Sequence, residues 1–179
     1  MTNSEIASVF DHVADLLDYQ GGNLFRVRAY RNAAHTIGGL VEPLAAVRAD
    51  TNRSLTDLDG IGDDLAGKIE ELLDTGRLPL LEELKVQVPA AAFELMRVPG
   101  LGPKKVKQLV DALGIDLLEA LEQACREKRV ESVKGFGAKT QAAILDNMAF
   151  AKDPAHARML WNDADSIVED VLGLSLIHI

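Results

Sequence analysis

Leu58-Asp59-Gly60-Ile61-Gly62, Val98-Pro99-Gly100-Leu101-Gly102 and Val133-Lys134-Gly135-Phe136-Gly137 are three copies of one phrase: an apolar residue, a spacer, then Gly-x-Gly. Each leads into about ten residues of helical pattern, with an apolar residue nine positions after the first glycine, at Ile69, Leu109 and Ile144. The copies are offset by 40 and 35 residues, as a repeated supersecondary unit would be and isolated turn glycines would not. In each, the second glycine falls just before a helix start. There the first backbone N–H groups lack intrahelical partners and the helix dipole is positive. Such an end can cradle one phosphate. The plainer alternative is that the glycines only permit tight turns between helices.

Outward from these copies the pattern stays helical. Ile6, Val9, Phe10, Val13, Leu16 and Leu17 recur at helical spacing behind a Thr2/Glu5 capping box, and Gly21-Gly22 ends the run. A second helix is predicted from Phe25 to Ile37, stopped by Gly38-Gly39, and a short one after Pro43, followed by a loop from Asp50 to Ser54. The helix from Asp63 to Asp74 carries Leu65, Ala66, Ile69, Leu72 and Leu73 on one face, which sets Lys68 at the border of core and solvent. Further helices are expected from Pro79 to about Val86, after Pro89, over Ile115 to Arg129, and from Pro154 to Leu172. No stretch alternates with period two, so the expected fold is all-α. It is read as two small helical domains built on the repeats: 1–84 with the first copy and 85–152 with the second and third. A helix over 153–172 follows, then an apolar tail, 173–179, expected to be non-native.

With 47% hydrophobic and 26% charged residues, the chain of 179 residues reads as a soluble globular protein. No apolar run is long enough to span a bilayer and the first ten residues do not pattern as a leader, so the expected place is the cytoplasm, with no membrane partner. Cys125 is the sole cysteine, which excludes an internal disulfide and suits packing. His12, His35, His156 and His178 show no ligand spacing, so no metal site is expected. Tyr19 and Trp161 continue apolar stripes and read as core.

The net charge of −9 opposes nucleic-acid binding at first sight. Its distribution does not. The windows 24–36 (Arg26, Arg28, Arg31, His35), 95–110 (Arg97, Lys104, Lys105, Lys107) and 133–145 (Lys134, Lys139) contain no acid, and two of them coincide with Gly-x-Gly copies. Such segregation suggests a basic face on an acidic body. A rival reading takes the charge at face value: a helical protein-interaction adaptor that has lost its DNA surface.

The Gly-x-Gly copies resemble the helix-hairpin-helix, which binds the DNA backbone without reading sequence. More specifically, Phe25-Arg26-Val27-Arg28-Ala29-Tyr30-Arg31-Asn32-Ala33-Ala34, the run from Leu58 through Ile69, Thr75-Gly76-Arg77-Leu78 and the stretch from Val98 to Val106 resemble the amino-terminal region of bacterial family X DNA polymerases. The resemblance spans about residues 3 to 172 and implies binding to gapped or 5′-phosphorylated DNA in base excision repair, with a monomer expected. It also implies 5′-deoxyribose phosphate lyase activity, in which a lysine amine condenses with the sugar aldehyde to a Schiff base and β-elimination releases the phosphate. Lys68 falls at that lysine. The step needs a neutral amine, which burial beside Arg26 and Arg31 would favour.

By the same resemblance Tyr30 is a catalytic assistant near the amine. Arg26 and Arg31, with Gly60 and Gly62, Gly100 and Gly102, Lys104 and Lys105, and Gly135, Gly137 and Lys139, are the DNA-binding candidates. No cofactor is expected in this chain, save a monovalent cation at the hairpin carbonyls as in relatives. Magnesium belongs to the family's nucleotidyl-transfer palm, which this chain is expected to lack. Asp163-Ala164-Asp165 imitates the palm's metal-binding pair but lies in a helical stretch, where residues two apart point in different directions. Departures from the family pattern are Asp63 and Asp64 after the first hairpin and Leu80 further on, where relatives often carry basic residues.

Overall fold

The computed structural model describes residues 1–152. The helix from Pro154, the Asp163/Asp165 pair, Trp161, His156, His178 and the tail lie outside the described residues. Within them the fold is all-α: α1 (Asn3–Tyr19), α2 (Leu24–Gly38), α3 (Leu44–Ala49), α4 (Asp63–Thr75), α5 (Pro79–Gln87), α6 (Ala90–Met96), α7 (Pro103–Leu113), α8 (Leu118–Arg126) and α9 (Ala138–Lys152). Short 3₁₀ turns at Leu55–Asp57 and Val130–Ser132 precede the first and third hairpins. None of the described helices is long and apolar enough to cross a membrane.

The described residues group into two units, 1–17 with 22–86 and 18–21 with 87–152. In the first, α1 begins with the predicted capping box: the Thr2 amide donates to Glu5 and the Glu5 amide to Thr2 Oγ1. Its apolar stripe of Ile6, Phe10 and Val13 is fully buried with Tyr30, Ala33 and Ile37 of α2. Asn3 ties the start of α1 to that of α3, donating to the Glu42 carbonyl at 2.8 Å and accepting from the Leu44 amide at 2.9 Å. On α4, Leu65, Ala66, Ile69 and Leu72 face inward as the spacing required. Each fully buried leucine or isoleucine contributes about 1.5–3 kcal/mol to burial.

The second unit is built on α6 to α9, with Leu95, Val106, Leu109, Leu121, Val130 and Ile144 at its centre. Cys125 is buried among them, and burial, with Glu122 adding a smaller push, raises its thiol to about 11; it is packing, as expected. The helix expected over Ile115 to Arg129 is shorter than its pattern. Leu117 is extended at its start, and the chain turns out after Arg126 because Lys128 takes the left-handed conformation (φ 58°). The amides of Lys128 and Arg129 then cap the Cys125 and Ala124 carbonyls.

Candidate nucleic-acid interface

The three hairpins share one backbone course. The first glycine of each pair is left-handed, with φ +75° at Gly60, +89° at Gly100 and +91° at Gly135, a conformation that costs an L side chain about 1–2 kcal/mol. The amide of the middle residue closes the turn onto the apolar residue three before it: Ile61 to Leu58, Leu101 to Val98 and Phe136 to Val133, at 3.1, 2.9 and 2.9 Å. Those middle side chains are buried. The second glycine then accepts the first helical bond, from Ala66, Val106 and Gln141 respectively. Gly62 and Gly102 are N-caps without a side-chain cap, and a Cβ built on Gly62, Gly102 or Gly137 meets nothing within 4 Å. The space beside each second glycine is therefore unfilled, and no side chain caps the starts of α4 and α7.

The repeat also reaches further upstream than the glycine pattern. Leu55, Leu95 and Val130, each five residues before the first glycine, are all buried, and their carbonyls accept from Leu58, Val98 and Val133. That second turn was readable in the sequence as an apolar residue at constant spacing.

What surrounds each helix start differs. At the first hairpin Asp63 and Asp64 occupy the first turn of α4, exposed, where the dipole stabilises a carboxylate and a carboxylate repels phosphate. Lys68 sits at the border of core and solvent, its side chain 18% exposed, and its Nζ lies 2.5 Å from Asp64 Oδ1 and 3.4 Å from the Asp64 carbonyl. Its neighbour in charge is thus a carboxylate on its own helix, where the sequence reading looked to Arg26 and Arg31. Arg31 pairs with Asp15 at 3.0 Å, and the Arg26 guanidinium lies 5.9 Å from the centre of the Tyr30 ring. The hairpin rests on the same helix: a Cβ at Gly60 would stand 3.8 Å from that of Asn32.

Tyr30 is 1% exposed, with the Phe10 ring centre 5.5 Å from its own, and its hydroxyl has no hydrogen-bond partner. Two large apolar residues of the same window stay open to solvent. Phe25 is 79% exposed beside Leu24 at the start of α2, which Asn23 caps. The helical pattern had counted Phe25 as a helix opener only.

At the second hairpin Pro103 starts α7 and Lys104 and Lys105 follow. Lys105 folds back onto the Gly100 carbonyl at 3.1 Å, and Lys104 Nζ lies 3.3 Å from Asp18 Oδ1, a residue grouped with this unit. Lys107 pairs with Asp111 at 3.1 Å, and Arg97 donates to the Ala151 carbonyl at 2.9 Å near the end of α9. At the third hairpin Lys134 and Lys139 are exposed and enter no ion pair among the described residues. The one buried polar side chain there, Gln141, accepts from the Glu131 amide at 3.0 Å and so fixes the turn entering the hairpin.

Comparison with known proteins matches residues 1–78 to a family described as a helix-hairpin-helix domain, and residues 93–147 to one described as a SAM-like helix-hairpin-helix tandem. The chain is 33% identical over 157 residues, 84% of its length, to the DNA polymerase/3′-5′ exonuclease PolX of Bacillus subtilis strain 168. The match covers 26% of that relative, so the chain spans about a quarter of the length of the polymerase it resembles. Helix-hairpin-helix domains beside a polymerase relative point to DNA as the partner, in a polymerase context.

Proposed function

This chain belongs to the family X DNA polymerases as their amino-terminal helix-hairpin-helix region, and on that premise we propose that it grips the DNA backbone at gaps and 5′-phosphate ends during repair. The observation that carries the reading is the pairing, in the second unit, of uncapped helix starts with cations. Gly102 and Gly137 lead into α7 and α9, with exposed Lys104 and half-buried Lys105 beside one and exposed Lys134 and Lys139 beside the other. Backbone amides take phosphate oxygens irrespective of base, and lysines add the charge that releases counterions. Lys104 exchanges one carboxylate partner for a phosphate on binding.

In the first unit the acid-bordered hairpin contributes less to phosphate, and the window of Arg26 and Arg28 more. Phe25 offers an unpaired base at the gap a face on which to stack. Lyase chemistry assigns Lys68 as nucleophile: its neutral nitrogen attacks the sugar aldehyde carbon, and water leaves to give the imine. The acidified C2′ hydrogen passes as a proton to solvent while the C3′–O bond breaks and the phosphate departs, and water then hydrolyses the imine to free the lysine. Tyr30 would hold a water through its unpartnered hydroxyl. A monovalent cation at the hairpin carbonyls would compete with Lys105 for Gly100 in the second hairpin.

Fluorescence titration of gapped, 5′-phosphorylated DNA and of intact duplex, each at two salt concentrations, tests the binding reading. Tighter, salt-sensitive binding to the gap is expected; equal and salt-insensitive binding to both overturns it. The net charge of −9 and the paired state of Lys104 and Arg31 favour a second reading, a helical protein adaptor, which the absence of any DNA complex at low salt would select.

A further inference from the structure

We propose that Asp64 is a positioning residue that restrains Lys68, holding its amine back along α4 until substrate displaces the carboxylate. The inference deepens the lyase reading and rests on Lys68 as the nucleophile. Its ground is geometric. Asp64 and Lys68 stand one helical turn apart on α4, and the amine meets both the carboxylate, at 2.5 Å, and the backbone carbonyl, at 3.4 Å, of the same residue. The Lys68 side chain is 18% exposed and that of Asp64 75%, so the nitrogen is pinned at the helix surface while the carboxylate remains free to swing into water. An ammonium held by a carboxylate cannot attack: the pair must part and the nitrogen must lose its proton to solvent before its lone pair can reach a carbonyl carbon.

Asp64 is also well kept in its resting place. It lies in the first turn of α4, where the positive end of the dipole favours a carboxylate whether or not Lys68 is near. Anything negative brought to that helix start opposes the carboxylate and leaves the amine its only attractive neighbour. The neighbouring Asp63 has the same charge and the same turn but no contact with Lys68 among the described residues, which makes it the natural control.

The test reads the amine directly and needs no DNA product. The 179-residue chain, Asp64→Asn and Asp63→Asn are incubated with glycolaldehyde and cyanoborohydride. Each lysine that reacts condenses with the aldehyde and loses water to give an imine, which the reagent's hydride and a solvent proton reduce to a secondary amine that is counted by peptide mass spectrometry. Relative to the other lysines, Lys68 in Asp64→Asn should label about two- to fivefold faster than in the parent chain, the factor set by a partly exposed ion pair. Lys68 in Asp63→Asn should stay closer to the parent rate. An unchanged rate in Asp64→Asn, or an equal rise in both variants, overturns the proposal. Failure of the lyase reading shows differently: no borohydride-trapped complex forms on abasic DNA with any of the three chains, whatever the labelling of Lys68.

Discussion

The Asn147 side-chain amide donates to the carbonyl of Pro99 across 3.1 Å, so the helix that follows the third hairpin braces the loop of the second. The reverse contact exists as well: the first glycine of the third hairpin lies against α7, with Gln108 Oε1 4.0 Å from where a Cβ of Gly135 would stand. Each loop thus lies against the other hairpin's helix, which places the two helix starts in one frame. Asn147→Ala should cost up to about 1 kcal/mol in urea unfolding, since the bond is exposed. Its effect on affinity for duplex DNA should exceed what that loss of stability explains, because the second hairpin loses its brace.

Stability and binding should part at Gly102. Its backbone (φ −75°, ψ 169°) suits an ordinary N-cap residue, and a side chain there meets nothing within 4 Å. Gly102→Ser should therefore stabilise the fold by a few tenths of a kcal/mol, its hydroxyl taking one of the open amides. The same hydroxyl should weaken DNA binding. Gly100→Ala, at φ +89°, should instead destabilise by about 1–2 kcal/mol. Denaturant melts and DNA titrations of both variants check the opposed signs.

Salt dependence should locate the cations in use. Lys134→Ala and Lys139→Ala should each lower the slope of log K against log salt by about one, the value for a lost phosphate contact. Lys107→Ala, which removes a lysine that stands further along α7 from the hairpin, lies over the Tyr19 ring and pairs with Asp111 on its own helix, should leave it nearly unchanged.

Tyr30→Phe removes a buried hydroxyl that bonds nothing in the protein. The variant should unfold at the same denaturant concentration as the parent or slightly higher, because a buried unpaired polar group costs free energy. A loss of Schiff-base trapping without a loss of stability would assign the hydroxyl to substrate or water.

Asp11 carries a pH signature. Partial desolvation raises its carboxyl above the ordinary 3.8 although the residue stays exposed, and Arg31 offsets this only in part. A carboxyl raised in the folded state is no burden below the unfolded value, where both states are protonated. Its charge becomes one as pH rises through the folded value. Asp11→Asn should thus be the more stable protein at pH 7, with the difference shrinking to nothing below about pH 3.8, as thermal melts across that range would show.

The helices and their caps were legible because they follow from neighbours in the chain. The capping box at Thr2 and Glu5, the inward face of α4 and the burial of Ile69, Leu109 and Ile144 are consequences of spacing alone. The early end of α8 was not, since nothing about Lys128 announces a left-handed backbone as a glycine would. The Lys68 contact follows from a carboxylate four residues before a lysine, one helical turn away, whereas the family resemblance points to arginines distant in the chain.

The sequence by itself determined an all-α chain with three glycine-opened helix starts, because hydrogen bonds within a helix and the φ of a turn are settled within a few residues. The tertiary structure decided which cations are left for DNA. Arg31 is taken by Asp15, 16 residues away, and Arg97 by the Ala151 carbonyl, 54 residues away, while Lys134 and Lys139 stand open. Charge pairing acts through space, and residues so distant in the chain become neighbours only when the core they surround has formed.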